Sequence, residues 1–376
     1  MNFIFYKSLT KLGGAEVFLV EFANELVKND KVTIVCYEYD SRLGNQLKID
    51  KNISIKIING HWIHRIYRTS SFLLKNRCDC LLVHSGFIDV LFINLLIKVP
   101  YVLWLHQPYF NTLLHNKIFA LIYKRHLSKF LSDEFSGPIL KDLAKKINLP
   151  KKIKLNISAV LEFLCFKRAK DIIVLSEYSQ KEKEIYFKVK SRVLPAAISN
   201  TFLKHLGNPN NHKNYILFFG RLIKQKRIEL VCESYLSAGI SEDLYIIGDG
   251  PMFELLRSRY NSPKIKIFRD CDFDDLITYI KESKFVITLD WADFNLTVYE
   301  SITLGKRVIY GDNFGIQEFD KKFIETGMLH YVKPNVESVS KKIKELTNLS
   351  QPSLNNYEFI KEYNWSWYIK NFKTYS

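Results

Sequence analysis

The sequence predicts an α/β chain of two doubly wound domains, each a parallel sheet covered by helices on both faces. Short apolar runs alternate with stretches of helical period along the whole chain, the pattern of strands buried on both sides. A length of 376 residues suffices for two domains of ordinary size, each with its own core. Residues 196–214, rich in Asn and carrying Gly207 and Pro209, interrupt the alternation and read as a linker.

In the first half the expected strands are residues 2–6, 32–37, 53–58, 80–84, 101–106, 171–175 and 192–195. Helical stretches fall between them at 15–28, at 88–97 and along a long basic region. In the second half the strands are 215–219, 243–247, 265–268, 285–289, 307–310 and 329–332. Helices are expected at 227–238, 251–260, 273–282, 298–304 and 336–347. No short repeat is visible, and the halves are alike only in architecture. Two such domains facing across a cleft would offer the loops at the carboxyl ends of their strands to one ligand.

Composition narrows the function classes. The six cysteines are scattered, and the one close pair, Cys78 and Cys80, has no second pair or His to complete a zinc pattern. A disulfide framework is not expected, and a reducing cytoplasm fits best. Residues 2–6 run as a strand into a glycine loop, so no signal peptide is expected. The longest apolar stretch, 87–105, is broken by Asp89, Lys98 and Pro100, which argues against a spanning helix.

Charge is uneven. Residues 1–195 hold 31 Lys and Arg against 17 Asp and Glu, a net of +14, and the remainder nets only +2. The densest segment, 110–154, has ten cations against three acids, with Leu, Ile, Phe and Tyr interleaved at helical spacing. Such a segment can lie on an anionic bilayer, or it is a solvated Lys-rich face. No nucleic-acid motif accompanies it.

Five clusters sit where a strand should end and a helix begin. Gly13-Gly14-Ala15-Glu16 follows the first strand, and adjacent glycines let the backbone turn sharply beside a ligand. His106 closes the strand at 101–106, placed to hydrogen-bond a hydroxyl near neutral pH. Gly220-Arg221-Leu222-Ile223-Lys224-Gln225-Lys226 follows the first strand of the second half. Its Arg221 and Lys226 can grip two phosphates of one diphosphate, while Lys224 and Arg227 read as solvated. Gly248-Asp249-Gly250-Pro251 is another such turn, expected beside a nucleotide base. Last comes Asp290 to Glu300, where a helix N-terminus makes an anion seat and Glu300 adds a carboxylate that can read hydroxyls. A phosphate seat beside a hydroxyl-reading acid suggests a nucleotide-sugar site.

Taken together, these clusters resemble the large retaining GT-B glycosyltransferases of family 4. The order and spacing of Gly13-Gly14, Arg221 and Lys226, Gly248 to Pro251, and Phe294 to Glu300 carry the likeness. The strings Arg168 to Ser179 and Val193 to Ile198 also resemble that family's last N-domain strand and domain junction. The likeness spans nearly the whole chain, is strong from 215 to 318, and loosens across 60–165. It implies a GT-B fold of two Rossmann-like domains, 1–198 and 199–358, with a helix from 359–376 crossing back to the first. It implies transfer of a sugar from a nucleotide sugar to a glycan or lipid-linked acceptor with retention, without a metal or other cofactor.

By the family's pattern Arg221 and Lys226 bind the donor diphosphate and Glu300 the ribose hydroxyls. The backbone of Phe294, Asn295, Leu296 and Thr297 contacts diphosphate and sugar, Gly13 and Gly14 close over the donor, and His106 touches the transferred sugar. One departure stands out. The first acid of the family's usual Glu-x7-Glu is Ala292 here, with Asp293 and Asn295 in place of two glycines, so Asp293 or Asp290 is expected to supply the carboxylate. Asp270-Cys271-Asp272 matches a metal motif of another transferase fold but reads as an acidic first helical turn. Two other readings remain: a nucleotide-sugar 2-epimerase on the same architecture, and a partner subunit that has lost turnover.

Overall fold

The computed structural model describes residues 2–10, 13–105, 149–207, 213–269, 271–290, 292, 294–312 and 315–373. His106, Asp270, Asp293 and most of the basic segment 110–154 lie outside the described residues. The chain divides into two compact units, one ending at Ala196 and resuming at Trp365, the other running from Ala197 to Asn364.

The first unit carries β1 (Asn2–Phe5), β2 (Ser8–Leu9), β3 (Val32–Cys36), β4 (Glu38–Tyr39), β5 (Ser54–Ile57), β6 (Leu81–Val83), β7 (Tyr101–Leu105), β8 (Asp171–Val174) and β9 (Arg192–Val193). Its helices are α1 (Gly14–Leu26), α2 (Ser41–Gln46), α3 (Trp62–Lys75), α4 (Phe87–Ile97), α5 (Leu149–Arg168) and α6 (Glu177–Glu182). Seven strands form one parallel sheet in the order β5-β3-β1-β6-β7-β8-β9. The order reverses direction between β1 and β6, the doubly wound arrangement the alternating pattern predicts.

Two features escape the sequence pattern. The parallel pair β2-β4 is only two residues a strand, too short to show a period. Helix α3 is rich in Ile, Tyr, Thr and Phe, which are weak helix formers. It is held by packing, burying Ile66, Thr69, Ser70 and Leu73 on one stripe.

The second unit contains α7 (Asn200–Leu203), β10 (Tyr215–Phe219), α8 (Ile228–Ala238), β11 (Asp243–Ile247), α9 (Phe253–Tyr260), β12 (Ile265–Phe268) and α10 (Phe273–Glu282). It continues with β13 (Phe285–Thr288), α11 (Leu296–Thr303), β14 (Arg307–Gly311), α12 (Lys321–Glu325), β15 (Leu329–Val332) and α13 (Val336–Thr347). All six strands are parallel, in the order β12-β11-β10-β13-β14-β15. Every residue of β10 and β13 is buried, as a two-faced parallel sheet requires. Ile216 and Phe218 of β10 share a core with Leu230 and Val231 of α8 and Ile343 and Leu346 of α13.

The last helix, α14 (Trp365–Lys373), belongs to the first unit. Trp365, Tyr368 and Phe372 are buried on it and pack against Phe18 and Phe22 of α1 and Trp104 of β7. The Trp365 indole also donates to the Glu21 carboxylate at 2.9 Å. Rings of this size each remove on the order of 150–250 Å² from water, which is what anchors so short a helix.

Candidate functional site

In the second unit the strand order reverses between β10 and β13, and doubly wound sheets bind ligands outside the carboxyl ends of their strands at that point. The two chain segments leaving those strands are the Gly220–Lys226 turn and the stretch from Leu289 to α11. Both hold residues the sequence singled out, and the fold brings them into contact.

The contact is an ion pair. The Lys226 ammonium lies 2.6 Å from the Asp290 carboxylate, and the two side chains are 20% and 5% exposed. The other Asp290 oxygen accepts from the Asn295 amide at 2.8 Å and the Thr288 hydroxyl at 3.2 Å. Asn295 also donates to Thr288 at 3.0 Å, and its side-chain oxygen accepts from the Thr297 backbone amide at 3.1 Å. Asn295 is therefore the N-cap of α11, a role Asn fills well because it satisfies an otherwise orphaned amide. Strand end, cationic turn and helix N-terminus are thus joined through one buried carboxylate.

That network revises one expectation. Asp290 is 4% exposed and accepts from Lys226, Asn295 and Thr288, so it braces the site and does not present a carboxylate to a sugar. Arg227 is a second correction. The sequence reads it as solvated, yet it is buried, adopts a left-handed backbone (φ 49°) and donates to the Leu289 carbonyl at 2.8 Å. A left-handed Arg is strained by about 1–2 kcal/mol; the buried hydrogen bond between the two segments holds it there.

The glycines of the next turn have a structural reason of their own. A Cβ on Gly248 would lie 2.0 Å from the Gly220 carbonyl oxygen, and one on Gly250 2.5 Å from that of Leu222. The turn after β11 docks backbone to backbone on the turn after β10, with Leu222 donating to Asp249 and Met252 donating to Leu222. Gly250 thus shapes the Arg221 turn by close packing.

Arg221 itself is exposed and forms no ion pair among the described residues. Glu300 is half-buried on the second turn of α11, and Leu296 and Thr297 form that helix's first turn. Phe294 is buried and stacks on Tyr299 at 4.7 Å, and the Tyr299 hydroxyl donates to Asp320 at 2.7 Å. The Tyr310 hydroxyl donates to the Ala292 carbonyl at 2.5 Å, which fixes the backbone at that position.

Residues 201–363, nearly the whole of this unit, match the family model described as glycosyl transferases group 1. The second unit carries the group 1 glycosyl transferase pattern. Solved structures agree over the full length of this glycosyltransferase. The lipopolysaccharide outer core galactosyltransferase WaaB is 14% identical, with 100% of this chain and 99% of that chain covered and a TM-score of 0.67. HepE from Anabaena, solved with UDP, is 13% identical, with 100% and 99% covered and a TM-score of 0.67. A variant of S. aureus TarM in complex with Fondaparinux, α-GlcNAc-glycerol and UDP is 11% identical, with 100% and 99% covered and a TM-score of 0.68. At such identities the likeness establishes the GT-B fold. No curated protein matches in sequence.

In the first unit of the glycosyltransferase, Gly13 is the N-cap of α1 and its backbone is extended (φ −162°), not sharply turned. Glu16 in the first turn accepts from the Tyr6 hydroxyl. Beyond the carboxyl ends of β1 and β6 lies a polar cluster that the sequence did not reveal. Asp89, buried on α4, accepts from the Trp62 indole at 2.7 Å and the Lys7 ammonium at 3.1 Å, and the Lys7 amide donates to the Ser85 hydroxyl at 2.8 Å. The only sequence signal was an acid breaking an apolar run at Asp89. Asp272 caps α10 by accepting from the Asp275 amide at 2.9 Å, the role its acidic turn predicted. Among the described residues no group of three or more His, Cys, Asp or Glu could hold a metal, and no helix is long and apolar enough to cross a membrane.

Proposed function

We propose that this glycosyltransferase moves a sugar from a nucleoside-diphosphate donor to a hydroxyl of a glycan or lipid-linked acceptor, with retention of anomeric configuration. The product belongs to a cell-surface polysaccharide, glycolipid or glycoprotein made at the cytoplasmic side of the membrane. The observation that carries this reading is the Lys226–Asp290–Asn295 network, which joins the cationic turn to the N-terminus of α11 where the strand order reverses. A diphosphate is the ligand that such a junction of cations and helix amides suits.

Arg221 and Lys226 take the two phosphates, the first turn of α11 (Leu296, Thr297) adds backbone amides, and Glu300 accepts the ribose hydroxyls. In the reaction the bond between the sugar's anomeric carbon and the phosphate oxygen breaks, and its electron pair leaves with the diphosphate. The acceptor oxygen bonds to that carbon on the same face, and its proton passes to the departing phosphate oxygen. Arg221 and Lys226 balance the charge that develops on the leaving group, so the step needs no metal from this chain. HepE has been solved with UDP-glucose and TarM with UDP, which makes UDP-sugars the first donors to test.

Ala292 favours one further reading, a subunit that binds nucleotide sugar and supports a partner without turnover. A thermal-shift series with UDP, GDP, ADP and their sugars, followed by donor consumption with lipid extracts, separates the two. A nucleotide at a hundredfold its dissociation constant should add about 2.7 kcal/mol of stability. Stabilisation without sugar transfer to any acceptor points to the partner subunit. Interconversion of the free donor seen by NMR points to an epimerase, and no nucleotide effect at all overturns the proposal.

A further inference from the structure

A second basic site lies in the first unit, away from the strand ends that bind donors in this fold. A cavity of about 450 Å³ opens at the amino-terminal ends of β8 and β9, within the size range of small-molecule sites. Five cations line it, Lys167, Lys170, Lys188, Lys190 and Arg192, against one carboxylate, Asp171.

Local structure accounts for some of that charge. Arg192 pairs with Asp171 at 2.5 Å and reaches the carbonyls of Asn371 and Phe372 at the end of α14. Lys167 donates to the Lys188 carbonyl at 2.6 Å. The carboxyl end of α5 and that of the π-helical turn Lys183–Phe187 both approach the cavity, and each helix end contributes roughly half a negative charge. With Asp171 included, the balance remains about three positive charges. Lys188 and Lys190 are exposed and form no ion pair among the described residues. The Ser191 hydroxyl lines the same cavity, and its oxygen is buried with no hydrogen-bond partner among the described residues.

We propose that this cavity binds a phosphate-rich anion, the lysines meeting its charge and Ser191 donating to one of its oxygens. Phosphate groups of a soluble polyphosphate and those of an anionic bilayer present the same chemistry, and the test separates them. Inorganic tripolyphosphate is titrated calorimetrically into the full chain, and vesicles of phosphatidylglycerol or phosphatidylcholine are tested by flotation. The double variant Lys188→Asn, Lys190→Glu removes two exposed cations, and Asn suits the left-handed backbone at 188 (φ 51°). It should weaken tripolyphosphate binding about tenfold, with a shallower salt dependence, and leave the thermal midpoint and donor turnover unchanged. Arg221→Ala should leave this binding intact, which distinguishes it from phosphate captured at the donor site. Loss of phosphatidylglycerol flotation in the double variant identifies the membrane as the source of the anion, and loss of tripolyphosphate binding alone identifies a soluble one. Lys190→Gln, a single surface change, repeats the test if the double variant folds poorly. Parent-like binding of both probes by either folded variant overturns the proposal.

Discussion

Lys226 and Asp290 lie 64 positions apart in the chain and meet at 2.6 Å across the point where the second sheet reverses its strand order. The cation proposed to meet the donor diphosphate is thus already held by a buried carboxylate. That carboxylate is itself fixed by Asn295, the cap of the helix whose amides would share the anion.

The pair should respond unequally to removal of its members. Lys226 is 20% exposed and can turn toward water, whereas Asp290 is 5% exposed and cannot. Lys226→Ala, which takes a cation from a buried carboxylate, should therefore cost about 3 kcal/mol or more. Asp290→Asn keeps the shape and should cost about 1 kcal/mol. Urea unfolding of the single variants and the double should yield a coupling of about 1–3 kcal/mol. Strict additivity would mean that the two side chains do not act together.

Arg221 offers a cleaner separation of binding from folding. Its side chain is exposed, so Arg221→Ala should leave the thermal midpoint of the free protein almost unchanged. Loss of a charge-assisted phosphate contact should weaken nucleoside-diphosphate binding about tenfold to a hundredfold. Isothermal titration with UDP and its sugars measures the effect; unchanged affinity removes Arg221 from the site.

Gly250 should behave as a packing position. An added Cβ would meet the Leu222 oxygen at 2.5 Å, and the backbone at 250 (φ 155°) already disfavours a side chain. Gly250→Ala is expected to destabilise the fold by about 2 kcal/mol or more, in chemical denaturation without nucleotide. A stable Gly250→Ala that loses only nucleotide affinity would reverse this assignment.

Lys306 should make stability depend on pH. It is fully buried, and burial pushes its ammonium down from the ordinary 10.5 to about 7. Between those values the unfolded chain holds the proton and the folded chain has released it. Stability contributed at this position therefore rises with pH from about 7 to about 10.5, and the penalty is full below 7. Lys306→Met should stabilise most below pH 7, by an amount on the order of a few kcal/mol, and progressively less toward 10. Denaturation midpoints across that range test it; a gain independent of pH excludes titration of Lys306.

The C-terminal helix should depend on its first ring. Trp365 is buried against Phe18 and bonded to Glu21. Trp365→Ala is expected to cost about 3–5 kcal/mol and to release α14, raising amide exchange over the final helix before that of β7. Exchange that stays slow there would mean that Tyr368 and Phe372 suffice.

The fold class was legible because buried parallel strands announce themselves as unbroken apolar runs. Runs at 215–219, 285–289 and 101–106 became β10, β13 and β7 with shifts of one residue or none at their described ends. Turn chemistry was legible for the same local reason, since Gly220, Gly248 and Gly250 all adopt positive φ. What the chain alone did not disclose depends on contacts between distant segments. Nothing local tells that Arg227 is buried and Asp290 occupied, because the deciding partners of Arg227 and Lys226 lie more than sixty positions away. Local pattern determined which strands and turns would form. Only tertiary packing decided which charged side chains would be braced inside and which, like Arg221, would face solvent, because desolvation is set by neighbours that the chain brings together on folding.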